Sequence, residues 1–151
     1  MKISDYLKRE FCTMDLNVST KEEAIRKIAH AMEQAGTLKD ADRFVRSVLR
    51  RESMGATGIG SGVAIPHART ESVDGFIIGF GRSQEGIDFR SPEGDKANLI
   101  FLMGANPRDL NLYLRLLAEL ARLLMNGAFR KELLNAATCD DVISIFKKFE
   151  A

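Results

Sequence analysis

The chain has 151 residues, with 22 Lys plus Arg against 21 Asp plus Glu and a net charge of +1. That balance gives no support for a basic nucleic-acid-binding face, and no apolar run approaches the 18 or so residues a membrane span needs. Charges from Lys2 to Glu10 speak against a signal peptide.

The length fits one domain with a substantial core. Cys12 and Cys139 lie far apart without CxxC spacing. They read as reduced thiols of a cytoplasmic protein, with a disulfide left open. With His30 and His67 as the only histidines, no metal cluster and no cofactor is expected.

The first elements are a polar helical turn around Ile3 to Leu7 and a strand over Phe11 to Leu16. Ser19-Thr20-Lys21-Glu22 predicts a capping box, Ser19 serving a free N–H while Glu22 reaches back. The following helix lines up Ala24, Ile25, Ile28, Ala29 and Met32, which turns His30 toward solvent. Gly36 stops it. A second helix, from about Asp40 to Glu52, buries Ala41, Phe44, Val45, Val48 and Leu49. Arg51 falls seven residues after Phe44 and three after Val48, so it projects from the apolar side in the last turn. It is either a cation stabilising the helix C-terminus or pairing with Glu52, or a guanidinium that holds an anion.

Gly58-Ile59-Gly60-Ser61-Gly62-Val63-Ala64-Ile65-Pro66-His67-Ala68-Arg69 is the most informative stretch. Glycines at alternate positions weaken any strand, and are tolerated where backbone turns sharply or something approaches closely. Val63 to Ile65 predicts a short buried strand that Pro66 ends, fixing its own φ and holding Ile65 extended. His67 then stands at the strand mouth on a stiff backbone. One reading is an ordinary loop histidine; the other is an imidazole presented to a partner. Thr57, Ser61 and the N–H groups of Gly60 and Gly62 are candidate donors of an anion-binding concavity beside it.

Strands follow at 75–81 and 86–89, then a turn at Pro92-Glu93-Gly94. Ala97 to Gly104 is continuously apolar, as a central strand buried on both faces requires. Asn106-Pro107 opens a helix running to about Met125, with Tyr113, Leu114, Leu117, Leu120, Ala121 and Leu124 expected inside. Tyr113 either continues that core or offers its hydroxyl to the site. Two shorter helices, about 128–137 and 140–149, complete an α/β fold: a single-domain mixed β-sheet covered by helices on both faces.

From Glu52 through Ile59-Gly60 and Val63-Ala64-Ile65-Pro66-His67-Ala68, the sequence resembles the phosphorylation-site signature of fructose/mannitol-type enzyme IIA domains of the bacterial phosphotransferase system. Gly86-Ile87-Asp88-Phe89 is similar to that family's Gly-Ile-x-Phe strand, and Tyr113 to Ala118 to its His-Leu-x-x-Leu-Ala helix. The resemblance spans essentially residues 1–151. It implies a phosphocarrier: His67 accepts a phosphoryl group from an HPr-type carrier, and Arg51 of the Arg51-Glu52 pair is an active-site residue. A IIB domain receives the group in sugar transport; in the nitrogen-regulatory branch a target protein reads the phosphorylation state. Thr57-Gly58-Ile59-Gly60 looks slightly more like the latter, and a short chain without a fused IIB or membrane IIC domain leans the same way. Tyr113 departs from the family, which carries a second His there.

Two other classes bear on the site. A non-phosphorylated interaction module would keep the fold alone, and a carrier that fails to label it would reveal that. A general-base enzyme would need a nucleophile or carboxylate dyad for His67 to serve, and the sequence offers none.

Overall fold

Leu99 to Met103 present apolar side chains to both sides of a strand, and such a strand is satisfied only between two covering layers. The computed structural model, which describes residues 2–151, places it at the centre of the sheet. In chain order the elements are β1 (Cys12–Thr13), α1 (Lys21–Gln34), α2 (Ala41–Ser53), β2 (Gly58–Gly60), β3 (Val63–Ala64), β4 (His67–Arg69), β5 (Phe76–Ile87), β6 (Ala97–Ala105), α3 (Leu110–Leu124), α4 (Gly127–Asn135) and α5 (Cys139–Glu150). Short 3-10 turns sit at Ile3–Asp5, Arg9–Phe11 and Pro107–Asp109.

The sheet runs β1-β5-β6-β3-β2, with β4 also on β6. β5 and β6 are antiparallel, while β3 and β4 both run parallel to β6. β3 and β4 occupy successive stretches of one β6 edge: Val63 pairs with Leu99 and His67 with Met103. Pro66 separates them, because it has no N–H for a ladder. Its carbonyl still accepts from the Met103 N–H at 3.0 Å, which keeps His67 in line with the sheet.

Both faces of the sheet are covered. On one, α1 and α2 press so closely that a Cβ on Gly79 would stand 2.7 Å from Ile28 and Met32, and one on Gly104 2.6 Å from Phe44. On the other, Phe101 meets Phe146 at 6.0 Å and Phe80 at 5.1 Å, and Phe129 closes on Phe146 at 5.1 Å. Alternation along each strand sends Gly79 and Phe80 to opposite faces. The mixed α/β fold covered on both sides is as the sequence predicts.

Several local expectations shift. The capping box belongs to Thr20 and Glu23, not Ser19 and Glu22, because α1 starts at Lys21 and its third residue is Glu23. The first strand shrinks to Cys12–Thr13. The two strands expected at 75–81 and 86–89 are one, β5 over Phe76–Ile87, its register shifting between Arg82 and Ile87, with Gly86 at a φ of +85°. In α3 the buried stripe is Tyr113, Leu116, Leu120, Leu123 and Leu124, while Leu114 is 50% exposed. Cys12 and Cys139 are free thiols, the Cys12 thiol donating to the Lys8 carbonyl at 3.7 Å, and burial raises the pKa of both. Among the described residues, no helix is long and apolar enough to cross a membrane, and no group of three His, Cys, Asp or Glu could hold a metal.

Candidate functional site

His67 opens β4, where Pro66 directs the chain back onto the β6 edge. Its Nδ1 lies 2.7 Å from the carbonyl oxygen of Ile65. A carbonyl only accepts, so Nδ1 carries the hydrogen and, in the neutral ring, Nε2 keeps the lone pair. Burial is the largest influence on this imidazole and lowers its pKa from 6.5. The bond to Ile65 opposes that shift, and the Arg51 charge adds to it. The ring is therefore neutral and nucleophilic at physiological pH.

Arg51 reaches the same place from the last turn of α2. Its Nη1 donates to the Gly55 carbonyl at 2.7 Å, and the side chain is half-buried. No carboxylate among the described residues lies in ion-pair range of it. The residue on the core side of that turn is Glu52, 5% exposed, four residues beyond Val48. Its carboxylate accepts from Lys21 Nζ at 3.2 Å and from the Thr57 hydroxyl, so it does not pair with Arg51. Thr57 in turn accepts the Ile65 N–H on its carbonyl at 3.1 Å. Lys21, Glu52 and Thr57 thus brace the backbone whose next carbonyl orients His67.

Tyr113, in the first turn of α3, places its ring centroid 5.9 Å from that of His67. Burial raises its phenol pKa, against the pull of Arg69 and Arg51, so it remains a neutral O–H donor. Arg69 was absent from the sequence candidates. It lies two residues beyond His67 on the same strand, and that spacing puts both on one face. These groups line a cavity of about 720 Å³, with Arg50, Arg51 and Arg69 as its cations and Met54, Leu110 and Leu114 among its apolar walls.

Thr57, Gly60, Ser61 and Gly62 are not part of it. The Gly62 carbonyl accepts from the Asn98 and Leu99 N–H groups, four residues of β6 before Met103, which is roughly 13 Å at strand rise. The concavity expected there is filled by the chain's own anion. Asp95 accepts the Gly62 N–H at 2.8 Å and the Ser91 hydroxyl at 2.6 Å, and these bonds hold its carboxyl below the usual range. Thr57 is buried and engaged with Glu52. What lines the one cavity is His67, Arg51, Arg69 and Tyr113: a neutral imidazole, two cations and a neutral donor.

Comparison with known proteins gives this arrangement a context. Residues 5–149 match the family model for the phosphoenolpyruvate-dependent sugar phosphotransferase system, EIIA 2. A fructose-specific EIIABC component of Bacillus subtilis is 37% identical over 150 residues, covering 99% of this chain; the chain spans 24% of that protein's length. A fructose-specific EIIA component of Haloferax volcanii is 34% identical, with 94% of each chain covered. Among solved structures, the nitrogen regulatory protein IIA-Ntr of Neisseria meningitidis superposes with a TM-score of 0.88 at 26% identity, covering 95% of this chain and 98% of that one. With a match over nearly its whole length and relatives of both kinds, the chain belongs to the EIIA type-2 family of the sugar phosphotransferase system, whose EIIA components are phosphocarrier domains.

Proposed function

We propose that residues 1–151 act as one phosphocarrier domain in the cytoplasm. It takes a phosphoryl group onto Nε2 of His67 from an HPr-type carrier and passes it to a IIB domain. The observation that carries this is the Nδ1 bond to Ile65, which leaves Nε2 as the nucleophile beside Arg51 and Arg69. In the transfer, the Nε2 lone pair forms a new N–P bond while the donor's N–P bond breaks and its imidazole recovers the electron pair. The His67 ring gains a positive charge, which the Ile65 carbonyl faces at Nδ1. Arg51 and Arg69 meet the equatorial phosphoryl oxygens, and the Tyr113 hydroxyl donates to one of them. Delivery to the acceptor reverses these bonds. Neither a metal nor a cofactor enters the scheme.

The likeness to the IIA-Ntr structure supports a second use of the same chemistry, in which the phosphorylation state of His67 is read by a regulatory target. Both readings require the phosphohistidine. Incubation with enzyme I, an HPr-type carrier and phosphoenolpyruvate should add about 80 Da, one acid-labile phosphoryl group. His67→Ala should abolish the adduct and His30→Ala should retain it. A protein that no carrier labels would be an interaction module that keeps only the fold.

A further inference from the structure

Cys12 and Cys139 stand near opposite ends of the chain, and neither lines the His67 cavity. Cys12 pairs with Phe80 of β5, and paired residues of neighbouring strands point to the same face of a sheet. Phe80 identifies that face: its ring lies 5.1 Å from Phe101, which in turn meets Phe146 of α5 at 6.0 Å. Cys139 opens α5, and Val142 and Phe146 follow it at spacings of three and seven, both fully buried. Cys139 therefore belongs to the stripe of α5 that faces the sheet. The Arg9 guanidinium donates to Asp140 at 3.1 Å, which ties the turn before β1 to the first turn of α5. Both half-buried thiols thus look into one seam between β1 and α5.

They also act on each other. Burial is the largest influence on both and raises their pKa values; the charge of Cys139 raises Cys12 further, whereas the Cys12 thiol lowers Cys139, as do Arg82 and Arg9. Cys139 is thus the first of the two to ionise. We propose that Cys12 and Cys139 form a modification site, a dithiol that a low-molecular-weight disulfide oxidises to an intramolecular bond linking β1 to α5. The Cys139 thiolate attacks one sulfur of the small disulfide, forming a mixed disulfide and expelling one small thiolate. Cys12, once deprotonated, attacks the Cys139 sulfur, and the second small thiolate leaves. The protein gives up two electrons and two protons, and the small disulfide takes them up as two thiols. The raised pKa values keep both steps slow at neutral pH, so the pair answers sustained oxidation rather than a brief pulse. Once made, the bond closes nearly the whole chain into a loop and holds the two-residue edge strand β1 in place.

The test treats the reduced, folded chain with oxidised glutathione at about pH 8.5, where the thiolate fraction is larger. The protein should lose about 2 Da, and digestion should yield one peptide pair joined through Cys12 and Cys139. In urea the same closure must bring distant chain ends together, and it should be slower by about tenfold or more. Cys12→Ser should accumulate a glutathione adduct on Cys139, because the resolving thiol is gone. The linked protein should melt about 10 °C higher than the reduced one, a difference that dithiothreitol abolishes and that Cys12→Ser/Cys139→Ser never shows. A wild-type chain that stops at glutathione adducts, links only to a second chain, or closes faster unfolded than folded would overturn the site. An unchanged or lowered melting temperature of the linked protein would mean that the fold must distort to make the bond, and would overturn it as well.

Discussion

Nδ1 of His67 and the carbonyl oxygen of Ile65 lie 2.7 Å apart, so one ring nitrogen is engaged by the chain's own backbone. The other nitrogen is left with the lone pair, and burial keeps it unprotonated by lowering the pKa from 6.5. The rate of phosphorylation should therefore be flat from neutral pH down past 6.5, and fall only as pH drops through the lowered value. Folding is linked to the same group: the unfolded His67 binds its proton at a higher pH than the folded one. Its contribution to stability is thus present above pH 6.5 and lost as pH falls from there through the folded pKa. Transfer rates and melting temperatures between pH 5 and 8 check both. A rate that halves near pH 7 would contradict the first.

Arg51→Ala should slow phosphoryl transfer by about 2–4 kcal/mol of barrier, the range for removing a donor from a developing anion. The fold should survive, since Arg51 makes no ion pair among the described residues and its side-chain hydrogen bond, to Gly55, is on the exposed side. Rate and melting temperature together distinguish this from a helix-end cation, whose loss would lower stability by about 0.3–1 kcal/mol and leave transfer normal.

Tyr113→Phe removes the hydroxyl but keeps the ring against His67. A lost hydrogen bond of about 1 kcal/mol predicts a rate lower by about fivefold with an unchanged melting temperature. Tyr113→His should restore a second titration near neutrality to the pH profile. An unchanged rate in the Phe variant would assign Tyr113 to packing alone.

Glu52→Ala strips a buried carboxylate from Lys21 and Thr57. The expected loss is about 3 kcal/mol, at the low end for breaking a buried pair, because the Lys21 side chain is 25% exposed. Urea denaturation measures it. Transfer should also slow, because the Thr57 carbonyl that braces Ile65 loses its anchor.

The fold was largely legible because its punctuation is local. Pro66 ends a strand whatever surrounds it, and the unbroken apolar run in β6 admits only a central position. The α3 face was harder, because Leu110, Leu112, Leu114, Leu116 and Leu117 surround that helix and no stripe stands out. Packing into the core selected Leu116, and the cavity rim kept Leu114 exposed. At the end of α2, Glu52 continues the spacing of Val45 and Val48, a signal that its charge hid. The partner of the Gly62 N–H is Asp95, 33 residues away, which no local pattern shows. Arg69 was within reach, since strand alternation alone puts it beside His67.

The central claim is that the phosphoryl group resides on Nε2 of His67. Long-range proton–nitrogen NMR on protein with nitrogen-15 in its histidines, before and after phosphorylation by the carrier, reads both ring nitrogens directly. The account predicts Nδ1 protonated in both states and phosphorus coupling at Nε2 of His67, with His30 unchanged. Phosphorus coupling at Nδ1, or at any residue other than His67, would contradict it.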